Sequence, residues 1–449
     1  MASEEVPVAL QMNSTALFSV FDPRGFLQSQ SAAAAADTGC GGGDAAAAAA
    51  AATEAEVDPI FRLTGREWKV STLSLDDRFA ICRSVGEECI QDAELRTLLE
   101  KKPHPVCYDG FEPSGRVHIA QGVLRTINVN KLTSAGCIFK FWVADWFALL
   151  NNKMGGDLKK IRTVGRYMIE VWRSAGMDMD NVAFLWASDE INRKSDEYWS
   201  KVMDVARRFN LARIQRCCTI MGRKETDEMS AAQIMYPCMQ CTDVFFLGAD
   251  ICQLGMDQRK VNMLAREYCD ETKPKIKHKP VIISHHMLLG LKEGQEKMSK
   301  SDPDSAIFME DTAADVKRKV KKAFCPPPAE NTYGIGAHEK TVDGVTDVTT
   351  NKVFNPVIDY MQHIIFQHPN HLDAGVTIKR KPENGGDKTY ASFDELSADY
   401  SAGNIHPGDL KATLVDALNA ILQPVRDHFT SNKEAKQLLA LVKKYRVTR

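Results

Sequence analysis

Five apolar runs, at residues 106–110, 137–144, 182–187, 249–254 and 280–284, alternate with longer segments of helical pattern. Runs this short read as strands buried on both faces, and strands separated by helices pair in parallel. The alternation therefore constrains the chain to an α/β fold, with a Rossmann-like, doubly wound parallel sheet. Such a sheet binds its ligands outside the carboxyl ends of its strands. An amphipathic helix is expected over 87–102, ahead of the first strand, and further helices over 353–367 and 410–422. Residues 325–351, rich in Pro, Gly and Thr, read as a loop insertion.

Chemistry-bearing residues cluster where those strands end. The first strand runs into Phe111-Glu112-Pro113-Ser114-Gly115-Arg116-Val117-His118-Ile119-Ala120-Gln121-Gly122, a Pro/Gly turn followed by a helix starting near His118. A helix N-terminus offers unpaired N–H groups and a positive dipole end, which suits phosphate. Far downstream, Lys297-Met298-Ser299-Lys300-Ser301 lies between Gly294 and Asp302-Pro303. Its composition suits a mobile loop. Two ammonium groups and two hydroxyls on such a loop can close over a polyphosphate and stabilise a departing pyrophosphate. Taken alone, each of these strings is also compatible with a solvated basic turn or a structural histidine.

A third string, Met235-Tyr236-Pro237-Cys238-Met239-Gln240-Cys241-Thr242-Asp243, reads as a helix after Pro237. Tyr236, Gln240 and Asp243 share one face at i, i+4 and i+7. Three polar groups on an otherwise apolar helix are costly unless they meet water or a ligand. The strand at 249–254 then ends in Gly255-Met256-Asp257-Gln258-Arg259-Lys260, a polar cluster opening the next helix.

Together these strings resemble the class I aminoacyl-tRNA synthetases. With Tyr108 they look like the tyrosine pocket of tyrosyl-tRNA synthetases of the archaeal and eukaryotic cytosolic type, over roughly residues 75–449. Two positions depart from the family's helix-start motif: Ala120 stands for a glycine and Gln121 for a second histidine. The resemblance implies that Tyr108 and Asp243 hold the substrate phenol. Tyr236, Gln240 and Gln258 would surround its α-amino group, with Ala144 also in the pocket. It implies ATP contacts from Gly110, His118, Gln121, Gly255, Asp257 (to the ribose), Met287, Lys297, Met298, Ser299 and Lys300. His118, Gln121, Lys297 and Lys300 would be the catalytic groups, with Mg2+ accompanying the ATP phosphates. His406 and Asp409 resemble anticodon-reading residues, and Arg259 and Lys260 are further tRNA candidates. His285 and His286 would lie by the nucleotide, a metal pair being the other reading.

The same resemblance divides the chain into an extension over 1–58, a catalytic domain over 59–310 and an anticodon-binding domain, mostly α-helical, over 311–449. A helical insertion at about 191–235 would carry the interface of a homodimer, and the lysine loop spans 294–303. The implied activity is ATP-dependent ligation of tyrosine to its tRNA in the cytoplasm. Tryptophanyl-tRNA synthetase, a silent RNA-binding paralogue and a nucleotidyltransferase of the same superfold are the alternatives. Tyr108 with Asp243 favours a phenol over an indole.

Composition narrows the remaining choices. A net charge of −2 means that any nucleic acid must be met by local basic patches. Lys317 to Lys322, Arg207 to Lys224, and Lys159 to Arg162 hold candidate runs, each equally readable as a solvated helix face. The 12 cysteines come without a secretory signal, so reduced thiols are expected. Cys238 and Cys241 have metal-like spacing but no obvious partner pair, and read as core. The alanine and glycine tracts of residues 1–58 have little to bury, and disorder is expected there. No stretch reads as membrane-spanning.

Overall fold

The computed structural model describes residues 59–445 apart from 62, 64, 222–228, 297, 299–301, 328–336, 343–344 and 351–354; for 337–342 and 345–350 it describes the backbone alone. The extension over 1–58 and the loop residues Lys297, Ser299 and Lys300 thus lie outside the described residues.

A six-stranded sheet organises the chain. Its strands are β1 (Glu88–Ile90), β2 (Val106–Phe111), β3 (Ile138–Val143), β4 (Val182–Trp186), β5 (Ile251–Gly255) and β6 (Val281–His285). The spatial order is β1-β6-β5-β2-β3-β4. All neighbours pair in parallel except β1 with β6. The chain steps outward from β2 through β3 to β4, then returns to lay β5 on the other side of β2. That reversal opens a crevice at the carboxyl ends of β2 and β5, where doubly wound sheets bind ligands. Beneath it, the rings of Phe141, Trp172 and Phe184 lie nearly parallel in a triangle, with centroids 5.0, 5.0 and 5.8 Å apart. The helix Leu158–Ser174 supplies Trp172 and buries Ile161, Val164, Tyr167, Met168 and Val171 along the same stripe. The Asp157 side chain caps it by accepting from Lys160 N–H at 3.1 Å.

Three expected elements turn out differently. The helix expected over 87–102 is Asp92–Lys101, and Glu88–Ile90 pairs instead with 282–284 as an edge strand. Gln91, at φ 68°, makes the break between them. The helix expected after Pro237 begins earlier, at Ala231. There Gln233 Oε1 accepts the Ser230 N–H at 3.0 Å. Pro237 removes one helical donor, and the carbonyl of Gln233 that it leaves bare accepts the Cys218 thiol at 3.5 Å. Finally, the stretch read as a loop insertion contains an antiparallel hairpin, Ala337–Val342 with Val345–Thr350.

Pro59–Arg449 forms one compact unit. The 25-residue helix Pro407–Ser431 lies against the helices Ala313–Lys322 and Leu158–Ser174. Arg426 Nε donates to Asp311 O at 2.8 Å, and His428 Nε2 meets Glu170 Oε2 at 2.8 Å. No described helix is long and apolar enough to cross a membrane.

β4 is an edge strand, and exposed edges invite unwanted pairing. Here a strap over residues 59–74 manages the edge. Ile60 is buried, and Arg66 donates to the carbonyls of Met179, Asp180 and Val182 at 2.6–2.9 Å. Lys69 exchanges two backbone hydrogen bonds with the Asn181 amide. Removing residues 1–58 should leave the melting temperature unchanged. Removing 1–74 should lower it by a few degrees, since about 2.1 cal/mol/K per residue makes each lost kcal/mol worth about 1 °C in a unit of this size, and the strap's hydrogen bonds and buried side chain are worth about 3 kcal/mol or more. Differential scanning calorimetry of the two truncations checks this, and equal melting temperatures would rule out the edge-covering role.

Candidate active site

The crevice is a cleft of about 430 Å3 lined by the ends of β2, β3, β5 and β6 together with the polar face of helix Ala231–Phe246. It gathers Tyr108, Gly110, His118, Gln121, Ala144, Tyr236, Gln240, Asp243, Gly255, Asp257, Gln258, Met287 and Met298. These are all the described residues that the sequence assigns to tyrosine or ATP. Gly255 is needed at the floor, because a Cβ there would meet Met287 Sδ at 2.7 Å and Asp257 Oδ1 at 2.8 Å.

One end of the cleft is built to read a ring bearing a hydroxyl. Asp243 is 1 % exposed. Its Oδ1 accepts the Tyr198 hydroxyl at 2.8 Å, while its buried Oδ2 accepts nothing. The Trp142 indole N–H, in the same wall, is buried, makes no hydrogen bond of close geometry and leans on the Asp243 carboxyl. Burial pushes the Asp243 carboxyl well above its ordinary range, against the pull of the Tyr198 hydroxyl and the Trp142 indole N–H. Burial likewise raises Tyr108, and with help from Glu112 raises Tyr236, so both phenols stay protonated donors. Next along the helix face, Tyr236 Oη donates to Glu112 Oε1 at 2.7 Å, and Asn151 Nδ2 donates to the same oxygen at 3.0 Å. Gln240 Nε2 donates to Gln258 Oε1 at 3.1 Å, and Gln258 Nε2 to Ile220 O at 3.1 Å. Phe147 meets Tyr236 edge-on at 5.0 Å and closes the side.

The other end suits a nucleotide. His118 opens a helix whose first turn, Ala120–Leu124, is π-wound and leads into helix Arg125–Ser134. Such bulges are frequent at functional sites. Gln121 O accepts the Trp172 indole N–H at 2.7 Å, while Gln121 Oε1 is buried without a partner. Arg125 Nε lies 3.1 Å from Asp109 Oδ2, yet burial outweighs the guanidinium and lifts the Asp109 carboxyl to about 6. His285 Nδ1 is 2.6 Å from Gln253 Nε2, and burial drives this imidazole down to about 3, so it is neutral.

Sequence reasoning missed Tyr198, Trp142, Glu112 and Asn151. Glu112 and Trp142 sit inside strings singled out for other residues. Tyr198 gives no local signal, being one aromatic on the buried stripe of helix Ser195–Arg208.

The remaining candidates scatter. His406 and Asp409 line a second cleft of about 820 Å3 with Arg380, Asn384 and Lys388. His406 also caps helix Pro407–Ser431, its Nδ1 accepting from Gly408 N–H at 3.0 Å. Arg259 pairs with Glu88 at 2.7 Å, and neither it nor Lys260 lines either cleft. The basic runs are largely engaged within the fold. Lys319 is buried against Asp311 at 2.6 Å, Arg207 and Arg208 hold Asp204, and Arg213 holds Glu267. Cys238 and Cys241 are buried free thiols.

His286 reaches across to the carboxyl-terminal half. Its Nε2 lies 2.7 Å from Asp359 Oδ1 and its Nδ1 3.5 Å from Glu87 Oε2. Asp359 Oδ2 also accepts the Leu289 N–H at 2.9 Å. His286, Asp359 and His363 are the one group among the described residues whose ligating atoms lie within 4.8 Å of one another. The two imidazoles stack 3.9 Å apart at 14°, so their nitrogens do not converge on one ion. The group is instead an ionic clasp. Burial alone would lower His286, but hydrogen bonds to Asp359 and Glu87 overturn that and hold it at about 9. A folded-state value above the unfolded one, about 6.5, means stabilisation that is full below pH 6.5 and lost as pH rises toward 9. Urea unfolding of His286→Ala should therefore show its largest deficit against wild type near pH 6 and a shrunken one above pH 9. A pH-independent deficit would refute the clasp.

Three kinds of similarity bear on this site. The family described as tRNA synthetases class I (W and Y) matches residues 100–423. Tyrosine–tRNA ligase 1, cytoplasmic, of Arabidopsis thaliana is 61 % identical over 375 residues, which is 84 % of this chain and 90 % of that protein. Among solved structures, Leishmania major tyrosyl-tRNA synthetase in complex with tyrosinol is 56 % identical with a TM-score of 0.75. The match covers 83 % of this chain and 61 % of that one. The Pyrococcus horikoshii tyrosyl-tRNA synthetase complexed with L-tyrosine is 32 % identical with a TM-score of 0.71, over 82 % of this chain and all of that one.

Proposed function

The chain belongs to the class I tRNA synthetases of the tryptophan and tyrosine type, and we propose that it is an ATP-dependent tyrosine–tRNA ligase of the cytoplasm, like its Arabidopsis relative. One observation carries the choice of amino acid. The closed end of the cleft pairs a bare carboxylate oxygen, Asp243 Oδ2, with the protonated Tyr108 hydroxyl. A substrate phenol donates to the first and accepts from the second. Phenylalanine would leave both unpaired in a dry site, and an indole offers a donor but no acceptor.

The reaction then follows from placement. Tyr236, Gln240 and Gln258 hold the α-amino group beside Ala144, which turns the substrate carboxylate toward the nucleotide end. Gly110, Gly255, Met287 and Met298 receive the adenosine, with Asp257 at the ribose. Mg2+ held by the ATP phosphates would neutralise part of their charge. The carboxylate attacks the α-phosphorus and pyrophosphate departs, its growing charge met by His118, Gln121, Lys297 and Lys300. The terminal hydroxyl of the tRNA then attacks the tyrosyl carbonyl and releases AMP. No covalent enzyme intermediate forms, so positioning and electrostatics supply the rate.

At the distant cleft, His406 and Asp409 read a splayed anticodon base, and Arg259 and Lys260 are further tRNA contacts. The insertion at 191–235 forms the homodimer interface, a reading supported by its exposed apolar side chains Met203, Leu211 and Met235.

Pyrophosphate exchange with each of the twenty amino acids tests the assignment, and only tyrosine should support it. Asp243→Ala removes the acceptor and should cut tyrosine kcat/KM by about 10–100-fold while shrinking the preference over phenylalanine. Wild-type tyrosine kinetics in this variant would defeat the pocket assignment. Asp409→Ala should leave exchange intact and lower aminoacylation by about one to two orders of magnitude, with weaker discrimination at the first anticodon base. Equal discrimination by variant and wild type would reduce Asp409 to a helix-terminus residue.

A further inference from the structure

Asp243 lines the cleft, and the oxygen bonded to Tyr198, a residue outside the lining, faces away from it. The rear oxygen, Oδ1, is held by Tyr198, which comes from helix Ser195–Arg208 of the insertion and not from the nucleotide-binding framework. Tyr198 is fully buried and lines neither cleft, so it cannot touch a substrate. Its ring is fixed edge-on against Phe246 at 5.1 Å and Trp199 at 5.6 Å. Its hydroxyl has a backbone alternative, Met239 O at 3.4 Å, but points its single proton at the nearer carboxylate. A carboxylate with both oxygens bare could rotate about its terminal torsion, which is broad and soft. The Tyr198 donor at the rear, with the Trp142 indole N–H leaning on the same carboxyl, removes that freedom and leaves Oδ2 without a close partner. Tyr108, Tyr236 and Cys241 are the other titratable groups around it. Each has its own proton to keep, and none donates to the rear oxygen.

We propose that Tyr198 is a positioning residue for amino-acid choice, orienting Asp243 so that a substrate phenol is bound and its hydroxyl-free analogue is rejected. This rests on the tyrosine reading of the cleft.

Tyr198→Phe is the direct test, because it keeps both ring contacts and removes only the hydroxyl. In pyrophosphate exchange the KM for tyrosine should rise about tenfold, the worth of one charge-assisted hydrogen bond. The KM for ATP and kcat should stay within about twofold. The preference for tyrosine over phenylalanine should fall by the same factor as the tyrosine KM rises. The substitution is then repeated in an Asp243→Ala background, which removes the acceptor altogether. If Tyr198 acts through the carboxyl group, it adds no further effect there. An unchanged tyrosine KM in the single variant overturns the proposal, as does an undiminished rise in the Asp243→Ala background. A wild-type enzyme that gave no tyrosine-dependent exchange would instead overturn the tyrosine reading itself.

Discussion

The active site depends on a short backbone pairing between two segments far apart in sequence. Ile119 N–H donates to Ile307 O at 2.8 Å, Met309 N–H donates to Val117 O at 2.9 Å, and His118 faces Phe308 between them. This bridge sets the helix that begins at His118 against the chain emerging from the lysine loop. Its surroundings leave little slack. A Cβ on Gly122 would fall 2.2 Å from Met309 Sδ, so only glycine lets the two segments close. Arg116 binds Glu310, lies over the Phe308 ring at 4.1 Å and reaches Asp311 at 3.2 Å. Tyr167 adds a hydrogen bond to Glu310 at 3.0 Å, and Lys319 takes the other side of Asp311. The long carboxyl-terminal helix attaches through Arg426 to the Asp311 carbonyl. One junction thus fixes the helix that begins at His118, the root of the lysine loop and the seat of the carboxyl-terminal helices.

The cleft keeps polar groups whose burial is not fully compensated. Asp243 Oδ2 and Gln121 Oε1 are buried without a close partner in its walls, and the Trp142 indole N–H leans on the Asp243 carboxyl without a close bond. Native structures leave few such groups, and each costs about 1–3 kcal/mol. Collected in one cleft, they mark where a ligand completes the hydrogen bonding. The paired groups nearby are arranged differently. Asp109 leans on Arg125, and His285 stays neutral against Gln253, so this end of the cleft is fixed by the chain's own contacts.

The sheet was legible because its parallel strands are buried on both faces and so appear as unbroken apolar runs. The helix face carrying Tyr236, Gln240 and Asp243 was legible because three polar side chains share one stripe of an apolar helix. β1 was not, since an edge strand of three residues lacks a period long enough to separate it from the helix that follows. Pro237 read as a helix start because sequence alone cannot reveal that the Cys218 thiol satisfies the carbonyl it frees. Lys319 read as a candidate tRNA contact within a basic run, although tertiary packing buries it on Asp311. Such pairings are long-range, and a local pattern carries no trace of them.

Tyr198 belongs to the same class of long-range effects, and it changes how the helical insertion should be understood. That segment read as a dimerisation element only. Yet two bonds join it to the pocket, Tyr198 to Asp243 and Gln258 to the Ile220 carbonyl, while within it the Cys218 thiol holds the Gln233 carbonyl. Ile220 and Met221 line the cleft directly. Pro237 contributes by withholding a donor inside its own helix, which leaves an acceptor for the insertion to fill. The insertion is therefore a wall of the cleft as well as a surface element, because helix Ser195–Arg208 docks onto Ala231–Phe246 and places the Tyr198 hydroxyl on Asp243.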